Sequence, residues 1–185
     1  QRELKANEAL SSAQSERTPS KQPDAVSSEA YLKVARDFNG TSAGARALLM
    51  GAVALFEEGK YADAQSQFVK FKPAYPDSPL VPEAIMGIAI CLEALGKSAD
   101  ATAKFQEVIS RYPKDHNAAR AKLALALTYE NQNKPEQAQK IYTELTQGAS
   151  YSSSGAEAGR RLEELLLKHP NLAPTNTAAF KPAKP

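Results

Sequence analysis

The chain has 185 residues, of which 23 are Lys or Arg and 21 are Asp or Glu, so its formal net charge is +2. This near balance gives no electrostatic reason to bind nucleic acid or an anionic membrane, and we expect neither as a partner. Trp is absent, and no run alternates β-branched with polar residues, which argues against a sheet. The single cysteine, Cys91, cannot form an intrachain disulfide, and its apolar neighbours indicate a buried position.

No segment of the chain is predicted to cross a membrane. The longest uncharged runs, 47–56 and 84–92, fall well short of the roughly 20 residues that a spanning helix requires. Gln1 is an unusual first residue, so we expect a processed or shortened chain, and an upstream segment could have held an anchor.

The first part of the chain is predicted to be polar. Residues 1–15 have weak helical character, and two prolines within 16–24 indicate a loop or insertion. A helix is predicted to begin near residue 25 and to continue to Phe38. Its apolar positions match those of a later helix 37 residues on, so we interpret 1–15 and 25–38 as a degenerate leading repeat.

A pattern recurs every 37 residues through the middle of the chain. Its members are Gly, Ala, Phe, Tyr and Pro, at Gly59, Ala64, Phe68, Tyr75 and Pro76, and again at Gly96, Ala101, Phe105, Tyr112 and Pro113. A weaker third copy contains Asn133, Ala138 and Tyr142. Repetition at this period is typical of stacked helical hairpins, in which each hairpin needs its neighbour to bury its apolar face.

Three hairpins follow from this pattern. The predicted helix pairs are 43–58 with 61–75, 80–95 with 98–112, and 117–132 with 135–147. The turns inside them contain Gly59, Gly96 and Asn133, where a residue that tolerates positive φ is needed. A last helix over 154–169 has one polar face that suits the end of an array. Residues 170–185 are rich in Pro and Ala and are predicted to be disordered.

These residues resemble the tetratricopeptide repeat (TPR), which has Gly then Tyr at the turn, Ala three residues later, then an aromatic residue and a final Pro. The first hairpin has Gly59, Tyr61, Ala64, Phe68 and Pro76, whereas Ser98 replaces the Tyr in the second hairpin and Pro135 replaces it in the third. The resemblance implies an all-α fold: a right-handed superhelical array of antiparallel helix hairpins, or TPR-like solenoid, with a C-terminal capping helix. We place this domain at 25–169, between an N-terminal segment at 1–24 and a tail at 170–185.

The loop between the first two hairpins suggests a cellular setting. Residues 75–79 (Tyr-Pro-Asp-Ser-Pro) and 81–84 (Val-Pro-Glu-Ala) look like loops of bacterial cell-envelope TPR proteins. Those proteins are the Tol-Pal coordinator, the outer-membrane assembly lipoprotein and the ancillary translocon subunit. This resemblance implies a periplasmic or extracytoplasmic protein, inner-membrane anchored through an upstream segment, while a cytoplasmic location stays open.

The sequence contains no arrangement that favours chemistry. His116 and His169 have no Cys, Asp or Glu at metal-ligand spacing, and there is no Gly-rich phosphate loop or nucleophile motif. Carboxylate pairs such as Glu57 and Glu58 are adjacent, so they point in different directions from a helix. We therefore expect no enzyme activity, no catalytic residue, no metal and no cofactor.

The TPR resemblance implies a concave groove lined by the first helix of each hairpin. The lining positions are Leu49, Val53 and Phe56, then Met86, Ile90 and Glu93, then Leu123, Leu127 and Glu130, with Arg46 and Arg120 at the rim. Such an apolar strip suits an amphipathic helix or apolar segment of a protein partner. We therefore expect a non-catalytic protein–protein interaction scaffold. The alternative is a self-associating, homodimeric module whose groove holds its own N-terminal helix or a second copy.

Overall fold

The structure, a computed structural model, describes residues 1–15, 27–148 and 152–173. These residues form α-helices and one short 3-10 helix, with no strand in the described ranges, so the predicted all-α fold class is confirmed. The predicted loop at 16–24 lies outside the described residues, and so does the predicted tail beyond residue 173. In chain order the helices are α1 (Arg2–Ser15), α2 (Ser28–Asp37), α3 (Ser42–Glu57), α4 (Tyr61–Ala74), α5 (Val81–Ala94), α6 (Ser98–Arg111), α7 (His116–Asn131), α8 (Pro135–Gly148) and α9 (Ser153–Lys168).

The helix ends lie where the repeated turn residues predict them. From α3 to α9, every observed boundary is within one residue of the expected boundary. The turn residues inside the hairpins have positive φ: 77° at Gly59, 73° at Gly96 and 56° at Asn133. Glycine adopts this conformation without a Cβ clash, and asparagine is one of the few other residues that tolerate it. The expected role of these three residues is therefore confirmed.

The chain divides into two compact units, Gln1–Ala121 and Lys122–Pro185. In the first unit each helix from α1 to α5 packs against the next helix in the chain, and α3 also contacts α1 and α5. Ala64 and Ala101 are fully buried, and Phe68 and Phe105 fill the space beside them. This alternation of small and aromatic residues is the packing that close helix contacts require.

Helix α5 approaches α4 at a glycine. A Cβ added to Gly87 would lie 2.5 Å from ring atoms of Phe68. No real Cβ tolerates such a distance, so the aromatic ring packs directly on the bare backbone of α5.

Helix α1 is attached to α3 by its charged end. The Glu3 carboxylate accepts hydrogen bonds from the backbone N–H groups of Ser42 and Ala43, each at 3.1 Å, and the Thr41 hydroxyl accepts one from Gly44 N–H at 2.9 Å. Helix N-termini leave such N–H groups without an intrahelical partner, so Glu3 caps a helix other than its own. Apolar residues of α1, Ala6, Leu10 and Ala13, complete the contact by packing into a cluster with α2 and α3.

The second unit contains the rest of α7 with α8 and α9. Tyr142 of α8 is fully buried, and α9 packs against α8 and buries Ala158 and Leu165. A 3-10 turn, Pro170–Leu172, follows α9, and the Gln139 side chain donates a 2.8 Å hydrogen bond to the Leu172 carbonyl. Residues 170–173 of the predicted disordered tail are therefore ordered.

Candidate partner-binding surfaces

The predicted groove positions of α3 and α5 form what we call the first-helix stripe: Leu49, Val53, Phe56, Met86, Ile90 and Glu93. They differ widely in exposure. Leu49 and Met86 are only 5% and 4% exposed, so they belong to the core and offer a partner almost no surface. Val53 is 43% exposed, and Phe56 and Ile90 are partly exposed. The accessible part of the stripe is therefore centred on Val53.

The two arginines predicted at the groove rim both make hydrogen bonds inside the first unit. Arg46 Nη2 donates to Asn7 Oδ1 at 2.6 Å, and Arg120 Nη1 donates to Asn117 Oδ1 at 2.9 Å. Asn117 is buried and also donates to Asp115 Oδ1 at 2.9 Å. An arginine has five N–H donors, so these bonds orient each guanidinium without using all of its capacity.

In the second unit the predicted groove positions are Leu123, Leu127 and Glu130. The two leucines are half-buried, while a Glu130 carboxylate oxygen accepts a hydrogen bond from the Tyr142 hydroxyl. Burial of the phenol, followed by this hydrogen bond and the charge of Glu130, raises the pKa of Tyr142 above its usual value. The Glu130 side chain is thus hydrogen-bonded to a buried residue of its own hairpin.

A second surface, which the repeat pattern did not reveal, lies between α4 and α6 across α5. This opening of about 760 Å³ we call the α4–α6 groove. Its apolar lining includes Phe68, Ile85, Ile88 and Leu92, and Val69 at its edge is 50% exposed. Val69 and Ile88 lie in helices whose apolar residues look like ordinary core in the sequence, so only their exposure identifies the groove.

Charged residues of both α4 and α6 border this groove. Glu107 of α6 accepts a hydrogen bond from Lys104 Nζ at 2.8 Å, and Lys72 Nζ and Arg111 Nη1 lie 3.9 Å and 3.7 Å from it. The hydrogen bond from Lys104, together with the three positive charges, lowers the pKa of Glu107. One carboxylate thus faces three cations, and this cluster has a local charge of about +2.

The described residues contain no group of three His, Cys, Asp or Glu side chains that could hold a metal ion. Cys91 is buried, and burial raises the pKa of its thiol to about 11, so it is protonated at neutral pH and a poor nucleophile. Nor does any helix within 1–15, 27–148 or 152–173 have the length and apolarity to span a bilayer.

Two segments of the chain, 83–115 and 120–147, match the tetratricopeptide repeat family model. A crystal structure of a tetratricopeptide repeat protein from Parabacteroides merdae aligns with a TM-score of 0.61 at 13% identity, over 90% of this chain and 59% of that one. BtubC (BKLC) from P. vanneervenii aligns with a TM-score of 0.61 at 18% identity, over 89% of this chain and 66% of its own. No curated protein matches the sequence.

These comparisons identify the repeated unit in the matched segments and the fold. The matched segments are tetratricopeptide repeats, as the turn and core residues predicted, and the all-α hairpin repeat is shared with both solved structures. At these identities the structural likeness is one of fold alone. The chain spans less than two thirds of the length of either solved structure.

Proposed function

We propose that this protein is a non-catalytic scaffold that binds a segment of another protein along the first-helix stripe. TPR arrays suggest protein–protein interaction in general. The observation that supports this particular surface is the exposure of Val53. The Val53 side chain is 43% exposed. Phe56 in the same helix and Ile90, at the same position of the next repeat, are partly exposed beside it in the stripe. Together these side chains offer apolar surface area that a partner can bury.

The rim arginines give this surface a polar edge. Because Asn7 and Asn117 hold Arg46 and Arg120, their side chains are oriented before a partner arrives. Less side-chain entropy is then lost on binding. Their remaining N–H donors are suited to a carboxylate or carbonyl that flanks the apolar segment and sets its register.

We further propose that the scaffold works in a bacterial cell-envelope complex. The support is the resemblance of the loop at 75–79 to loops of envelope TPR proteins. Fractionation of the source cells tests this part: recovery with the periplasmic or membrane fraction is expected, and recovery only with cytosolic markers would contradict it.

The binding surface is tested by capture with the full chain and its Val53→Asp variant. Leu167→Asp is the matched control, because it places the same charge at an exposed apolar residue of α9 outside the stripe. A partner captured by the wild type and by Leu167→Asp, but lost with Val53→Asp, supports the proposal. Equal capture by all three chains would exclude the stripe.

Light scattering on the same proteins examines the homodimer alternative. We expect a monomer for the wild type. A dimer that Val53→Asp converts to a monomer would mean that a second copy occupies the stripe.

A further inference from the structure

The α4–α6 groove differs at two residues from the equivalent place one repeat earlier. Leu32 corresponds to Val69 and Gly51 to Ile88, each 37 residues apart. In the earlier repeat the Leu32 side chain packs on Gly51, where an added Cβ would lie 2.7 Å from Leu32 Cδ2. At the later pair, Val69 stays 50% exposed and Ile88 lines the groove. An equivalent opening of about 430 Å³, lined in part by Leu32, Leu48 and Gln67, lies one repeat earlier. The α4–α6 groove is distinguished from it by its larger volume of about 760 Å³ and by the exposure of Val69.

The groove has the size and lining of a binding site. Its volume of about 760 Å³ lies within the roughly 300–1,000 Å³ of pockets that bury most of a bound ligand. Apolar side chains that line such a cleft gain free energy when a partner removes them from water.

The charges beside the groove identify the partner. Lys72 and Lys104 line it with side chains 48% and 40% exposed, and Arg111 joins them around Glu107. Glu107 offsets only one of these three cations. Asp100 also lines the groove, so the four charged lining residues, Lys72, Lys104, Asp100 and Glu107, sum to about zero. Arg111, beside the groove at Glu107, brings the local net charge to about +1. A binding segment with carboxylates beside its apolar residues is complementary to this surface.

We infer that the α4–α6 groove is a second docking surface, which binds a short apolar segment of a partner protein flanked by Asp or Glu. The apolar residues of the segment cover Val69 and Ile88, and its carboxylates pair with Lys72 and Lys104. This inference does not depend on the first-helix stripe, since it involves other residues, although α5 contributes side chains to both surfaces.

The probes for the test are labelled peptides of one length: one of alternating Leu and Asp, one of Leu and Lys, and one of Ser and Asp. Binding to the full chain is followed by fluorescence anisotropy. The Leu–Asp peptide is expected to bind, with an affinity that falls as salt rises, and the other two are expected to bind at least about tenfold more weakly.

Variants locate the binding. Val69→Asp is expected to lower the affinity for the Leu–Asp peptide about tenfold or more, because it places a carboxylate in the apolar contact. Lys72→Gln and Lys104→Gln should each lower the affinity for this peptide and reduce the dependence of that affinity on salt. Leu167→Asp, at an exposed apolar residue of α9 outside both surfaces, is the control and should leave the affinity unchanged, and circular dichroism verifies that each variant folds.

Three results of the peptide-binding experiment would overturn the inference. They are no binding of the Leu–Asp peptide at millimolar concentration, equal binding of the Leu–Lys peptide, and equal binding by Val69→Asp. A dimer in light scattering that Val69→Asp abolishes would also overturn it, because the occupant would then be a second copy of this chain.

Discussion

The buried hydroxyl of Tyr142 donates a hydrogen bond to the Glu130 carboxylate across the α7–α8 hairpin. Phe105 holds the position of Tyr142 one repeat earlier, so the aromatic ring is common to both repeats and the hydroxyl is an addition. A buried hydroxyl is costly unless it has a hydrogen-bond partner, and Glu130 supplies the acceptor. A residue first predicted to face a binding partner therefore stabilises the fold.

Tyr142→Phe is expected to lower the free energy of unfolding by about 1–2 kcal/mol, because the ring still fits while the hydrogen bond to a charged acceptor is lost. Urea unfolding of Tyr142→Phe, Glu130→Ala and the double variant measures the coupling between the two side chains. We expect a coupling energy on the order of 1 kcal/mol. Additive effects of the two substitutions would contradict a direct interaction.

The thiol of Cys91 is expected to make the protein sensitive to alkaline pH. Its pKa is raised by burial from 9.0 to about 11, so the folded state keeps a proton that the unfolded state loses first. The resulting stabilisation is complete below pH 9 and is lost as the pH rises from 9 to about 11. The difference in unfolding free energy between wild type and Cys91→Ala should shrink over that window. A constant difference would contradict the raised pKa.

The contact between Phe68 and Gly87 predicts opposite effects for two similar substitutions. Gly87→Ala should destabilise the protein by about 1–3 kcal/mol, because its methyl group would overlap the Phe68 ring. Gly159→Ala in α9 should stabilise it by roughly 0.5–1 kcal/mol, because its Cβ would meet only Thr146 Cγ2, at 3.6 Å. Thermal unfolding of both variants measures the two effects. A neutral Gly87→Ala would mean that α5 moves freely away from α4.

The cap that Glu3 provides predicts a local effect at the start of α3. Glu3→Ala removes the acceptor for Ser42 N–H and Ala43 N–H, at a cost on the order of 1 kcal/mol. Amide hydrogen exchange at these two residues should become faster than in the wild type. Glu8→Ala, an exposed position of the same helix, is the control and should leave their exchange unchanged.

Much of the fold could be predicted because the signals that end one helix and begin the next are local in the sequence. The residues at the turns, Gly59, Gly96 and Asn133, are among the few that accept positive φ, and each marks the end of one helix and the start of the next. The fixed spacing of small and aromatic residues then identified the core. Helix ends and buried aromatics followed from short-range rules.

The surfaces were harder to predict because they depend on distant neighbours. Asn7 orients Arg46 from 39 positions away in the chain, and the spacing of the repeat does not predict this pairing. Leu49 and Met86 have the same spacing as Val53 and Ile90, yet only the packing of adjacent helices decides which pair is buried. The α4–α6 groove depends on how far Val69 and Ile88 are covered, and periodicity carries no information about that.

The bare backbone at Gly87 has a consequence for sequences related to this one. Where a lineage acquires a larger residue at that position, the steric cost falls on the ring of Phe68. A smaller residue at position 68 would restore the fit. Substitutions at these two sites should therefore arise together across evolution, although the sites are 19 residues apart in the chain.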